Sequence, residues 1–138
     1  MAAETEYRRG RHVVSAMHIH LVFVTKYRRG VLDDTMLSVC EDTMRKVCED
    51  FGAELKDFNG EDDHVHLLVH YPPKVAVSKL VNSLKGVSAR ILRRDFTGRV
   101  NQAIMHGHFW SPSYFAASCG GAPLSIIRQY IEQQKRPA

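Results

Sequence analysis

Long hydrophobic runs are absent from this 138-residue sequence. No stretch approaches the roughly 18 consecutive apolar residues that a membrane-spanning helix needs. The N-terminus, Met-Ala-Ala-Glu-Thr-Glu, also lacks the basic and then apolar order of a secretory signal peptide. The sequence therefore predicts a cytoplasmic protein that has no membrane partner.

Cysteine is scarce, with three residues in the whole chain and no C-x-x-C pair. An odd number of cysteines without such spacing gives no basis for a disulfide framework. Cys40 and Cys48 fall on the apolar stripe of a predicted helix, and Cys119 stands alone. We therefore expect buried free thiols in a reducing compartment.

A strong excess of charge of either sign is also missing. Hydrophobic residues make up 44% of the chain and charged residues 25%, and the net charge is +4. These values are ordinary for a globular protein and predict one domain over residues 1–138. Arg8, Arg9 and Arg11 make residues 1–12 a candidate mobile basic arm, and the positive balance mildly favours polyanionic partners.

Hydrophobic periodicity predicts seven regular elements, because a period of two marks strands and a spacing of three and four marks amphipathic helices. The predicted order is strand 13–24, helix 33–51, strand 53–59, strand 64–70, helix 75–96, strand 113–118 and helix 122–136. Residues 97–112 show no regular pattern. A βαββαβ order predicts a ferredoxin-like α+β fold, with two helices on one face of an antiparallel sheet and the C-terminal helix left over.

The stretch from His64 to His70 carries candidate metal ligands on a predicted strand. His64 and His66 point the same way because side chains alternate across a strand, while Val65 and Leu67 point the other way. Two neighbouring imidazoles can bind one divalent cation, although two histidines on a half-polar sheet face can also be structural. If the valine side faces the covering helices, the histidines occupy the open face, where the C-terminal helix can lie.

Two segments are strongly basic. Lys26, Arg28 and Arg29 surround Tyr27 in a predicted turn, a composition that suits a phosphate backbone. The second predicted helix carries cations mostly off its apolar stripe of Val77, Leu80, Val81, Leu84, Val87 and Ile91. Cations near a helix C-terminus also favour the macrodipole, so a structural explanation exists. The candidate DNA contacts are Lys26, Arg28, Arg29, Lys85, Arg90, Arg93 and Arg94.

Three side chains in the irregular segment 97–112 have open roles. His106 and His108 flank a glycine, and we interpret them as loop histidines. Trp110 could stack a nucleic-acid base, but we expect it in the core or at its rim. In the last helix, Leu124, Ile127 and Ile131 form a packing stripe, and the polar residues Tyr130, Gln133 and Gln134 lie towards another side.

Five short motifs in this order resemble a known family. They are His64-Val65-His66 with Leu67-Leu68-Val69, Lys26-Tyr27-Arg28-Arg29, Lys85-Gly86-Val87-Ser88-Ala89-Arg90, Gly120-Gly121-Ala122-Pro123-Leu124 and Gln129-Tyr130-Ile131-Glu132-Gln133-Gln134. From about residue 13 to the C-terminus, the chain resembles the single-tyrosine HUH transposases, the TnpA enzymes of the insertion-sequence 200/605 group. These enzymes move bacterial and archaeal elements as single-stranded DNA.

The resemblance implies a role for each matching residue. Tyr130 matches the catalytic tyrosine, which attacks a phosphodiester, becomes joined to the 5′ phosphate and releases a 3′ hydroxyl. His64 and His66 match two ligands of a divalent metal, Mg²⁺ or Mn²⁺. Gln134 matches the third ligand, with Gln133 as the alternative. The i, i+4 spacing places Tyr130 and Gln134 on one face of a helix.

The resemblance also implies partners: single-stranded DNA with hairpin ends, and a homodimer in which the tyrosine helix of one subunit can complete the site of the other. The edge strand near residues 113–118 is the candidate dimer seam. No nucleotide cofactor is expected, because a phosphotyrosine conserves the energy of the broken bond, and no G-x-x-x-x-G-K-[ST] loop is present. We interpret His18 and His20 as neighbours of the metal histidines or as structural residues.

Two alternatives remain open at the level of the sequence. One is a related HUH nuclease that acts on repetitive extragenic hairpins or nicks replication origins. The other is a non-catalytic ferredoxin-like regulator that binds single strands, in which Tyr130 and the histidines are structural. The regulator would be expected to expose base-stacking aromatics on the sheet. This sequence has histidines there instead.

Overall fold

The computed structural model describes residues 8–9, 14–15, 17–118 and 124–133. It contains a four-stranded antiparallel sheet, a two-stranded hairpin and four α-helices among these residues. In chain order the elements are β1 (Arg8–Arg9), β2 (Val14–Ser15), β3 (His18–Val24), α1 (Asp34–Asp50), β4 (Glu54–Gly60), β5 (His64–His70), α2 (Val77–Asp95), α3 (Thr97–Ala103), β6 (Phe115–Ser118) and α4 (Leu124–Gln133).

The main sheet has the strand order β4-β5-β3-β6. The two central strands pair antiparallel along seven residues, from His18 opposite His70 to Val24 opposite His64. β4 flanks β5, and β6 pairs with β3 at the opposite edge. This arrangement confirms the predicted ferredoxin-like α+β fold and its two central strands.

One face of the sheet is covered by α1 and α2. Asp33 caps α1 by accepting a hydrogen bond of 2.8 Å from the backbone N–H of Met36. The helix ends at Asp50, and Gly52 follows two residues later with a φ of 72°, which suits the left-handed position after a helix. Cys40 and Cys48 lie buried on its inner side as free thiols, as predicted, whereas Cys119 lies outside the described residues.

The inner face of α2 differs slightly from the predicted stripe. Leu80, Val81 and Leu84 are fully buried, but the buried row continues through Ser88 and Leu92 rather than through Val87 and Ile91, which are only half-buried. The serine is tolerated because Ser88 Oγ donates to the carbonyl of Leu84 and accepts from Trp110 Nε1 at 3.0 Å. Trp110 is 2% exposed, which confirms it as a core residue.

The prediction of an irregular segment over residues 97–112 was wrong at its start, because α3 occupies Thr97–Ala103. Threonine and glycine at its first two positions have low helix propensity, so the sequence pattern did not predict a helix there. Packing of Val100, and of Ile104 just beyond the helix, into the core stabilises it nonetheless. His106 and His108 lie in the exposed loop that follows, as predicted.

The other face of the sheet carries a second, smaller apolar cluster. Ile131 of α4 packs there against Val22 and Val24 of β3, with Phe115 and Tyr130 alongside. The predicted helix 122–136 is thus seen as α4 over its described part. At the N-terminus, β1 pairs with β2, so Arg8 and Arg9 of the predicted mobile arm lie in a hairpin. No helix of the described chain is long and apolar enough to cross a bilayer.

Candidate active site

The face of the sheet opposite α1 and α2 carries a row of histidines. In β5, Val65, Leu67 and Val69 are fully buried beneath the helices, while His64 and His66 alternate to the other side. This confirms the predicted orientation of the strand. Both imidazoles are half-buried, so they are held by the sheet yet reachable from outside.

A carboxylate holds the first of these imidazoles. Asp63 Oδ1 lies 2.8 Å from His64 Nδ1, and Asp63 Oδ2 lies 2.6 Å from Arg28 Nε. Burial alone would raise the pKa of Asp63, but the hydrogen bonds from His64 and Arg28 and the guanidinium charge outweigh it, so the pKa is lowered. An ionised carboxylate only accepts, so His64 donates from Nδ1.

The second imidazole contacts a histidine of the neighbouring strand. His66 Nε2 lies 3.1 Å from His20 Nδ1. Desolvation by burial and the adjacent His20 lower the pKa of His66, which therefore stays neutral at pH 7. His18 stacks on His70 at the far end of the strands, with ring centroids 4.2 Å apart. His20 thus lies beside the predicted metal ligand His66, whereas His18 lies beside His70.

Tyr130 lies on α4 at the same face. Its ring packs against Phe115 with centroids 5.7 Å apart, and its hydroxyl lies 2.9 Å from Ser113 Oγ. Burial raises the pKa of Tyr130, and the Ser113 hydrogen bond opposes that shift without cancelling it. The phenol is therefore neutral at pH 7, and its oxygen is oriented by a hydroxyl partner.

The donor chemistry of the two histidines fits a divalent cation. A histidine that donates one ring N–H to a carboxylate presents its other nitrogen as a ligand, and His64 has this arrangement through Asp63. Within the described ranges, no three His, Cys, Asp or Glu side chains come together as a ligand set. The predicted third ligand, Gln134, lies outside the described residues, while Gln133 is the exposed last residue of α4.

Three of the seven cations predicted to contact DNA are exposed, and a fourth, Lys26, is half-buried. Arg29 and Arg90 are exposed, and Lys26 lies over the ring of Tyr27, 5.3 Å from its centroid. Arg94 is exposed and pairs with its neighbour in sequence, Asp95. The two basic segments thus present charge to solvent, and their contact with DNA stays a prediction.

The other three cations make bonds within the protein. Lys85 Nζ donates to the backbone carbonyl of Ser111 at 2.8 Å, and Arg93 donates to the carbonyl of Gly107 at 2.7 Å. Arg28 is turned inwards onto Asp63. Each of them therefore has a structural partner in addition to the DNA contact predicted for it.

Two residues of this site were missed by sequence reasoning. Asp63 directly precedes the histidine pair, and an acidic neighbour of a candidate ligand was the signal that could have identified it. Ser113 gave no such signal, because it lies 17 residues from Tyr130 along the chain. Only the pairing of β6 with β3 and the docking of α4 bring the two hydroxyls together.

Comparison with known proteins identifies the family of this chain. The profile of the family described as "Transposase IS200 like" matches residues 13–134. The ISDra2 transposase TnpA of Deinococcus radiodurans is 31% identical over 129 residues, which cover 94% of this chain and 91% of that protein. The transposase for insertion sequence element IS200 of Salmonella typhimurium is 30% identical over 115 residues, covering 83% and 74% respectively.

Solved structures show the same fold. A crystal structure from Deinococcus radiodurans R1, described as a candidate transposase, matches with a TM-score of 0.82 and 32% identity, covering 95% of this chain and 99% of the other. A REP-associated tyrosine transposase matches with a TM-score of 0.52 and 16% identity, covering 93% and 68%, which is a likeness of fold alone. Together with the residues 13–134 that match the family profile, these likenesses show that the chain belongs to the IS200-like transposase family.

Proposed function

We propose that this transposase cleaves and rejoins single-stranded DNA through a covalent 5′-phosphotyrosine at Tyr130, with a divalent metal, Mg²⁺ or Mn²⁺, at His64 and His66. The main support for this proposal is that Tyr130 and the two histidines lie on the same face of the sheet. Ile131 follows Tyr130 in the sequence and packs on Val22 and Val24 of β3. In the sheet, Val22 lies opposite His66 and Val24 lies opposite His64. The proposed nucleophile and the proposed ligands therefore belong to one side of the molecule.

Tyr130 is the proposed nucleophile. Its phenol oxygen forms the new bond to phosphorus while the bond from phosphorus to the 3′ oxygen breaks. Overall, the phenol proton is replaced by the phosphoryl group, and the departing 3′ oxygen gains a proton. Ser113, 2.9 Å away, orients the phenol oxygen and can take its hydrogen bond. Attack by a 3′ hydroxyl on the phosphotyrosine reverses these steps and rejoins the strand.

A neutral phenol is a poor nucleophile, and burial raises the pKa of Tyr130 further. A divalent cation, when bound, would supply positive charge to the phosphoryl oxygens of the transition state. His64 and His66 would hold it with Gln134 as the third ligand by family resemblance. Neutral imidazoles suit this role because they leave the charge of the cation undiminished.

Hairpin DNA and a second copy of the chain are the proposed partners. The REP-associated tyrosine transposase that shares the fold was solved bound to a REP hairpin, which supports hairpin recognition here. The edge position of β6 beside β3 supports a seam between two copies, because an unpaired strand edge can add another strand. Completion of the site by the tyrosine helix of the second copy is part of the same proposal.

The decisive experiment is a covalent-adduct assay. The protein is mixed with Mg²⁺ or Mn²⁺ and labelled single strands that carry the ends of its element, and the products are separated on a denaturing gel. We expect a labelled protein–DNA adduct with the natural chain and none with Tyr130→Phe. Tyr71→Phe, a half-buried tyrosine beyond the end of β5, is the matched control and should retain the adduct.

The metal is tested in the same assay. EDTA, or His64→Ala combined with His66→Ala, should abolish the adduct while the protein remains folded by circular dichroism. An adduct that persists in Tyr130→Phe would overturn the assignment of the nucleophile. Cleavage that is insensitive to EDTA would overturn the metal site and leave the tyrosine chemistry standing.

A further inference from the structure

A continuous line of polar contacts links the basic turn to His64. Arg28 Nε lies 2.6 Å from Asp63 Oδ2, and Asp63 Oδ1 lies 2.8 Å from His64 Nδ1. The three side chains are 23%, 12% and 15% exposed, so each contact is partly shielded from water. Arg28 Nη1 also lies 3.3 Å from Glu132 of α4. Partial burial makes the inner contacts stronger than ordinary surface pairs.

The backbone of the turn is shaped to aim Arg28 inwards. Tyr27 and Arg28 have φ values of 56° and 55°, a left-handed conformation that non-glycine residues rarely adopt. Thr25 holds the turn, because its hydroxyl donates to the carbonyl of Arg29 at 2.7 Å and its N–H donates to the carbonyl of Asp63 at 2.9 Å. Two consecutive left-handed residues are a strained conformation, which persists because the surrounding contacts hold it.

The contact with Asp63 determines which ring nitrogen of His64 carries the proton. Asp63 accepts from Nδ1–H of His64, which leaves the Nε2 lone pair free of that proton. Arg28 occupies the other carboxylate oxygen, so the carboxylate is held in the orientation that serves His64. Carboxylate partners of this kind orient metal-binding histidines and raise their basicity.

We propose that Arg28 and Asp63 are positioning residues that orient His64 as a metal ligand, an inference that rests on the metal site of the proposed function. Arg28 then serves the site from within the protein, whereas its neighbour Arg29 is exposed to solvent. Glu132, which is 68% exposed, adds a weaker outer contact.

The test measures Mn²⁺ affinity of the full chain without DNA, by titration calorimetry or by the loss of the free Mn²⁺ signal in electron paramagnetic resonance. Asp63→Asn and Arg28→Ala should each weaken Mn²⁺ binding, Asp63→Asn by about 10- to 100-fold. Asp62→Asn and Arg29→Ala are the matched controls. They make the same charge changes one position away, at exposed side chains, and should leave the affinity within about twofold of the natural chain if position, not net charge, governs binding.

A second readout separates this role from a DNA contact. Affinity for a single strand is measured in EDTA as a function of salt, where a phosphate contact contributes to the slope. Arg29→Ala should lower that affinity more than Arg28→Ala does. The proposal is overturned if Arg28→Ala weakens DNA binding at least as much as Arg29→Ala and leaves Mn²⁺ affinity unchanged. Thermal unfolding confirms that each variant is folded.

Failure of this proposal is distinguishable from failure of the metal site. His64→Ala with His66→Ala is titrated in parallel. If that double variant binds Mn²⁺ as the natural chain does, the assignment of His64 and His66 as ligands is wrong. The positioning role of Arg28 and Asp63 is then wrong as well. If it loses binding while Asp63→Asn and Arg28→Ala keep full affinity, only the positioning role is wrong.

Discussion

At the scale of single residues, the protonation state of each reactive group is set by its surroundings in the fold. Tyr130 has an ordinary phenol whose pKa is raised by burial and partly restored by one hydroxyl, Ser113. His66 is kept neutral by burial and by His20. Cys40 and Cys48 are thiols that burial makes inert. The partners of Tyr130 and His66 lie 17 and 46 positions away in the sequence.

Ser113→Ala should shift the pH profile of adduct formation towards alkaline values. The Ser113 hydrogen bond lowers the pKa of Tyr130, so its removal raises that pKa further and reduces the phenolate fraction at every pH below it. At pH 7 the rate should fall by less than about tenfold, because one net hydrogen bond is worth roughly 1 kcal/mol. Ser118→Ala, at the exposed end of β6, is the control and should leave the profile in place.

The two described thiols should resist labelling in the folded protein. Burial raises the pKa of Cys40 and of Cys48 to about 12, so almost no thiolate is present at pH 8. In a Cys119→Ser variant, a thiol reagent should label neither residue in native buffer and both in guanidinium chloride. Rapid native labelling of either residue would contradict the packing of α1 against the sheet.

At the scale of elements, the hairpin of β4 and β5 presents the histidines, and its position is fixed by contacts with α1. Gly60 closes the hairpin so tightly that a Cβ there would lie 2.5 Å from Leu37 Cδ2 and 3.2 Å from the carbonyl oxygen of His64. A residue with a Cβ at this position would therefore displace the end of the Leu37 side chain and press on the strand. Gly86 within α2 has no such neighbour within 4 Å.

These two glycines give opposite predictions for stability. Gly60→Ala should destabilise the protein by about 1–3 kcal/mol, because Leu37 and the strand must shift to make room. Gly86→Ala should stabilise it by roughly 0.5–1 kcal/mol, because alanine is the better helix former and meets no clash. Urea unfolding measures both free energies. A stabilising Gly60→Ala would contradict the close contact of the hairpin with α1.

At the scale of the whole molecule, the sheet separates a large core from a small one. The large core joins α1, α2 and α3 to one face. The small cluster holds α4 to the other face through Ile131, Val22 and Val24. The helix that carries Tyr130 can therefore undock without exposing the main core, which suits a helix proposed to serve either copy of a dimer.

Ile131→Ala should lower activity while leaving the free energy of global unfolding nearly unchanged. It removes apolar contact at the small cluster only, so local undocking of α4 should increase while the free energy of unfolding changes by less than about 1 kcal/mol. Leu84→Ala, in the large core, should cost about 2–5 kcal/mol. The adduct assay should show a marked loss for Ile131→Ala at temperatures where Leu84→Ala is still folded and active. Equal losses of stability would contradict the separation of the two cores.

The sequence by itself determined the fold class, the order of the four sheet strands and their two covering helices, and the side of the strand that His64 and His66 share, because hydrophobic periodicity encodes which side of a strand or helix is buried. It missed α3, whose first residues favour no helix, and it placed part of the inner stripe of α2 one residue away from the buried row. Local propensity is weak, and packing overrode it in both places.

Only the tertiary structure decided which groups meet. The contacts of Arg28 with Asp63, of His20 with His66 and of Ser113 with Tyr130 join residues 35, 46 and 17 positions apart. No local pattern encodes such pairs, because they arise from strand register and from the docking of α4 on the sheet. The identities of the candidate nucleophile and ligands were readable in the chain, whereas the partners that set their protonation and orientation exist only once the chain is folded.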